Sequence, residues 1–306
     1  MPFSKRRKGF DRMEITIARG GFSAAASTAG AELMHLRFDG KEYLWGGDPA
    51  WWANRAPILF PMVGSLRKDT AATKSGGICR MKRHGLAKFA EHSVYGKGDD
   101  FVTFRLESSP WSLQQYPYAF CLDTTYRITG PKTLETRFTV RNTGDIPMPW
   151  LAGGHPAFHV PSPEGADDAF EDYVLCFPDD KPKRVPVLLP NGEYDFSDLL
   201  TLPTVGNELP LTHKLFDNDA LAFSDLSAPT LTLRSKKTGH GIRIDFADFP
   251  MIGVWSKAGA APFVALEPWM GCTTSKGESD CFDEKRGMEV LAPGGCATRA
   301  FAVTVL

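Results

Sequence analysis

Hydrophobic and polar residues alternate with period two over much of this chain. In Thr133–Asn142, one face carries Leu134, Thr136, Phe138 and Val140, and the other carries Glu135, Arg137, Thr139 and Arg141. That is the pattern of a strand with one face on a core. Phe101–Glu107 and residues 230–234, 241–246 and 298–306 repeat it. Each is bounded by turn chemistry such as Gly98-Asp99-Asp100, Thr129-Gly130-Pro131 or Pro293-Gly294-Gly295. No ten-residue stretch carries a clear 3.6 period, so only short helical turns are expected, one of them near 112–115. Many strands separated by turns, with 29 Gly and 23 Pro, predict a large antiparallel all-β protein, a sandwich or barrel. Residues 161–172 and 189–207 read as long surface loops, which often form the rim of a site.

Composition narrows the function classes. Of 306 residues, 42% are hydrophobic and 23% charged, and the net charge is -1. Nucleic-acid binding therefore lacks a positive field to support it. No apolar run approaches the roughly 18 residues of a membrane helix. The basic cluster Lys5, Arg6, Arg7, Lys8 and Arg12 is followed by Glu14-Ile15-Thr16-Ile17 rather than by the apolar stretch of a secretory signal. We read residues 1–12 as a solvated tail, 13–306 as a single domain, and the protein as cytoplasmic. The six cysteines form no Cys-x-x-Cys pair and read as reduced thiols.

Candidate chemistry is sparse. His155 and His159 are four apart, which in a strand separates them by about 13 Å, too far for one metal. No Gly-x-Ser-x-Gly, phosphate loop or dinucleotide fingerprint is present. What remains is a set of polar residues in apolar surroundings: His84 after Arg83, His155 after Gly153-Gly154, and Glu267 between an apolar run and Pro268-Trp269. Glu267 reads either as half of a structural ion pair or as a desolvated general base with a raised pKa. His155 reads as a satisfied core histidine or a site residue, and His84 as a loop residue or a site residue. Trp45, Trp51, Trp52, Trp150, Trp255 and Trp269 lie near these positions or near Gly/Pro turns, a mixture that suits a small-ligand pocket.

Several segments together resemble one family. Residues 56–64 (APILFPMVG), 83–88 (RHGLAK), 116–120 (YPYAF), 153–158 (GGHPAF), 218–223 (NDALAF), 252–257 (IGVWSK), 261–263 (APF) and 267–271 (EPWMG) are similar, in order, to aldose 1-epimerases (galactose mutarotases), most of all their LacX-like branch. The resemblance covers about residues 14–306. It implies a β-supersandwich with an open cleft for a monosaccharide and a reaction without cofactor or metal. It places the family's two histidines on His84 and His155, its base on Glu267 and its sugar-binding aspartate on Asp219. Arg67 or Lys68 would replace the basic residue that LacX-like proteins often carry where Ser65 stands here. Leu86 and Lys88 replace the more usual Phe and Arg. Arg83, Trp255 and Trp269 complete the expected substrate contacts.

The implied activity is anomer interconversion, with Glu267 as base, His155 as acid and His84 as a holder of the ring or carbonyl oxygen. That scheme expects His155 and Glu267 to face each other across roughly a sugar's width. The alternatives are a hexose-6-phosphate 1-epimerase, with Arg83, Lys88 and Arg67 as candidate phosphate contacts, and a non-catalytic sugar-binding domain. The oligomeric state stays open.

Overall fold

A computed structural model describes residues 13–306; the expected basic tail, 1–12, lies outside the described residues. The alternating segments form one nine-stranded antiparallel sheet. Its order is Glu208–Pro210, Tyr173–Cys176, Thr230–Ser235, Gly241–Asp245, Cys296–Val305, Thr133–Asn142, Phe120–Gly130, Phe101–Glu107 and Ser93–Lys97. Leu134, Thr136, Phe138 and Val140 are buried as their spacing requires, along with Val102, Phe104 and Leu106. A four-stranded sheet, Glu14–Arg19 to Lys41–Glu42, packs into the same core.

A six-stranded sheet carries Glu267 in one strand and His155 between two others. Leu221–Phe223, Met251–Trp255, Phe263–Trp269, Gly153–Gly154 and Ile58–Leu59 follow one another, and Ala157–His159 also pairs with Phe263–Trp269. Every residue of Phe263–Trp269 is buried. Coverage on both faces explains why this strand reads as a continuous apolar run rather than an alternation. Glu267 lies inside that strand, opposite Gly253.

Two expectations need correction. Residues 189–207 are not one loop: Tyr194–Thr201 is a strand that pairs with Arg184–Leu188. The register shifts between Pro186 and Val187, which puts the apolar positions out of phase and hides the period. The only α-helical turn among the described residues is Pro110–Leu113, two residues earlier than expected. Ser109 caps it, accepting from the Ser112 N–H, and Pro110 opens it. No helix among the described residues is long and apolar enough to cross a membrane. All six cysteines are unpaired.

Candidate active site

Two sequence motifs meet in one turn. The His84 N–H donates to the Gly64 carbonyl at 2.7 Å, and the Gly64 N–H returns a bond to His84 Nδ1 at 3.1 Å. Beside them the Leu86 N–H donates to the Phe60 carbonyl at 2.8 Å. Gly85, at φ +74°, lies so close that a Cβ would stand 2.3 Å from the Phe60 oxygen. His84 itself adopts φ +70°, an uncommon conformation for a side-chain-bearing residue and one that clusters at functional sites. Asp219, at φ +73°, shares it.

His155 follows the Gly153–Gly154 strand and is enclosed by aromatic rings. Trp52 stacks on it at 4.7 Å, while Trp255 and His84 meet it edge-on at 5.5 and 5.6 Å. Burial pushes its pKa down to about 3, and the positive charge of Arg83 adds to this. Its Nε2 lies 3.2 Å from Glu267 Oε2. The same oxygen accepts from Trp269 Nε1 at 3.2 Å. The Trp269 indole reaches Glu267 by lying over Gly253, where a Cβ would come within 2.3 Å of the ring. Glu267 is 1% exposed, and burial raises its pKa well above the ordinary carboxyl value against the opposing pull of Arg83. Oε1 meets no hydrogen-bond donor among the described residues.

Arg83 and Asp219 form a two-point bridge, with guanidinium–carboxylate distances of 2.9 and 3.3 Å. Arg83 Nε also lies 3.2 Å from His84 Nε2. A neutral imidazole accepts at only one nitrogen. Burial holds His84 neutral, its pKa well below the usual imidazole value. The backbone N–H of Gly64 is fixed by its turn, so Nδ1 is the acceptor and Nε2 carries the proton. The 3.2 Å Arg83–His84 contact is then not a hydrogen bond, and it leaves no room for an oxygen between the two nitrogens; an incoming oxygen would have to approach from beside the pair.

His84, His155, Asp219, Glu267, Arg83, Trp255 and Trp269 thus line one cavity of about 480 Å³, within the range of small-ligand pockets. Arg67 does not line it. It bonds Glu193 at 2.7 Å and pairs with Asp280, on the wall of an adjoining chamber. His159 turns away to Trp45, with ring centroids 5.5 Å apart. His155 and Glu267 share the cavity but touch, rather than facing each other across a sugar's width.

The cavity also holds two residues that the sequence places only loosely. Trp52 covers His155, and Lys88, which had been considered only as a phosphate contact, stands on the wall. Burial first, and Arg83 second, lower the Lys88 pKa to about 8. The Trp51-Trp52 pair after a Gly-Gly turn was a usable signal for the first; Lys88 carried only its departure from the family pattern. Of the two long loops, 161–172 lines neither chamber, whereas residues 191–194 line the adjoining one.

A family model described as aldose 1-epimerase matches residues 13–279. The chain belongs to the aldose 1-epimerase family. It is 34% identical over 303 residues to the chromosomal LacX protein of Lactococcus lactis subsp. lactis, covering 96% of this chain and all of that one. Two solved structures extend the likeness to the fold. A galactose mutarotase-like protein from Lactobacillus casei ATCC 334 superimposes with a TM-score of 0.87 at 33% identity, over 96% of this chain and 100% of that one. A galactose mutarotase related enzyme from Lactobacillus acidophilus gives a TM-score of 0.88 at 28% identity, over 96% and 97%. The aldose 1-epimerase sheets described above are thus of the galactose mutarotase-like kind.

Proposed function

We propose that this member of the family interconverts the α and β anomers of an aldose by opening and reclosing the sugar ring. The observation that carries the reading is the buried contact between His155 and Glu267, set in a cavity that also presents His84, Arg83 and Asp219. Ring opening moves one proton from the C1 hydroxyl to the ring oxygen, and the two groups are suited to move it in two steps. Glu267 takes the hydroxyl proton while His155 gives one to the ring oxygen; the C1–ring oxygen bond breaks and the C1 carbonyl forms. After rotation about C1–C2, the reverse transfers close the ring on the other face.

The pair needs one proton in total. It stands as imidazolium and carboxylate before opening, and as imidazole and carboxylic acid after. These states differ only in where that proton sits, and burial of both groups favours the uncharged one before a sugar binds. The 3.2 Å contact gives the proton a direct path between them once the sugar has left. His84 Nε2–H is suited to hold the ring or carbonyl oxygen, and Asp219 and Arg83 to bond hydroxyls. Trp255 and Trp269 offer ring faces to the sugar's carbon skeleton. A silent sugar binder would have no use for a matched acid and base.

Glu267→Gln tests the reading. It keeps the shape and removes the proton acceptor. Polarimetry of fresh α-glucose and α-galactose should show catalysed mutarotation falling at least ~100-fold, with sugar affinity changed far less. If Glu267 only completes an ion pair, the variant instead loses about 3–5 kcal/mol of stability and turns over normally while folded.

A further inference from the structure

The acid of the proposed reaction lacks the usual second anchor. A working imidazole is commonly oriented by a hydrogen bond at the ring nitrogen that does not react. In His155 that atom is Nδ1, which is buried and meets no hydrogen-bond partner among the described residues. The ring's polar contact is made by Nε2, to Glu267 Oε2 at 3.2 Å. That contact cannot hold the ring through turnover, because Nε2 must release its proton to the sugar and take another. A half-turn about Cβ–Cγ would put Cε1 where Nε2 now stands and leave the site without its acid.

Packing is what remains to fix the ring. The Trp52 indole stacks on it with centroids 4.7 Å and planes 27° apart, while Trp255 and His84 meet it edge-on. Trp52 is in turn held in place. The Asp48 carbonyl accepts from the Trp51 and Trp52 N–H groups at 3.0 and 2.8 Å, and the Trp52 carbonyl accepts from Trp45 Nε1 at 2.8 Å. The indole meets Trp255 edge-on at 5.3 Å and stacks on Phe263 at 5.8 Å. Trp52 is half-buried, unlike Trp45 and Phe263 beside it, so it covers the histidine more than it fills the core. The face of an indole also attracts a cation. With Nδ1 unpartnered, that face and the Glu267 carboxylate are the groups touching the ring that favour its protonated form.

We propose that Trp52 is a positioning residue: its indole face keeps the His155 imidazole turned towards Glu267 and steadies it while protonated, in place of a hydrogen bond at Nδ1. This rests on the ring-opening reading above.

Trp52→Leu and Trp52→Phe test the assignment. Polarimetry of galactose and glucose gives kcat and KM separately, and urea unfolding gives the folded fraction. The leucine variant should lose at least ~10-fold in kcat, as a misaligned acid does, with KM within about threefold of the parent. Phenylalanine keeps a stacking face and should bring kcat back to within about threefold. A rise in KM at unchanged kcat would make Trp52 a platform for the sugar and overturn the assignment. So would a phenylalanine variant as slow as the leucine one, or a fall in rate that only follows the folded fraction. Trp52→Met takes the place of the leucine variant should that one not fold. Absence of catalysed mutarotation by the parent protein on every sugar would instead overturn the ring-opening reading itself.

Discussion

Glu267 is held by one neighbour that can be altered without touching its other carboxylate oxygen, Oε1. Trp269 Nε1–H bonds the carboxylate form through Oε2 and so lowers the affinity of Glu267 for its proton. Trp269→Phe removes that bond and keeps most of the ring, so Glu267 should hold its proton to higher pH. In the proposed reaction the His155–Glu267 pair works with one proton and fails when it loses it. The alkaline limb of kcat/KM should therefore move to higher pH in the variant. The acid limb, set by a second proton entering against the burial of His155, should stay well below pH 6.5 in both proteins. A limb near 6.5 would mean that His155 titrates as an open imidazole.

At the scale of elements, the site is a matter of how backbone segments approach each other. Gly85 lets residues 83–88 run against Phe60, and this fixes His84 on the cavity wall. Gly85→Ala meets the Phe60 oxygen and a positive φ at once. It should cost roughly 1–3 kcal/mol in urea unfolding and lower mutarotation through displacement of His84. Normal activity with lowered stability would show that the turn does not position the histidine. The strands with one buried face, Thr133–Asn142 and Phe101–Glu107, were legible in the sequence because burial on one face writes itself as period two. Tyr194–Thr201 was not, because a register shift breaks the phase. The cavity residues His84, His155, Asp219 and Glu267 were legible through motifs that resemble a family. Their contact distances were not, since no spacing along a chain encodes how near two strands bring their side chains. The adjoining chamber was invisible for the same reason: its walls come from residues 65–68, 191–194 and 273–274.

For the whole molecule, buried histidines set the response to acid. His92 is 1% exposed; burial lowers its pKa to about 4, and only Nε2 has a partner, the Ala87 carbonyl at 3.1 Å. The unfolded chain takes up that proton near pH 6.5 and the folded one does not until about pH 4. Stability is thus full above pH 6.5 and falls as pH drops from there to about 4. At about 1.4 kcal/mol per pH unit, His92 accounts for roughly 3.5 kcal/mol of that fall at most. His92→Gln should flatten the decline in urea midpoint between pH 6.5 and 4. A decline as steep as in the parent protein would assign it to other groups.

The place of Cys296–Val305 in the large sheet bears on how the chain is made. It lies between Gly241–Asp245 and Thr133–Asn142, so it joins four strands on one side to four on the other. A ribosome that has released residues up to about 290 therefore carries two half-sheets, each with an unpaired edge facing the gap. Such edges are templates for pairing with other chains, and the non-local pairing that closes them is slow. The nascent protein is most open to misassembly in the interval before Cys296–Val305 emerges. Any chaperone contact it needs belongs to that interval, when every residue of the proposed catalytic cavity has been synthesised but the sheet behind it is still divided.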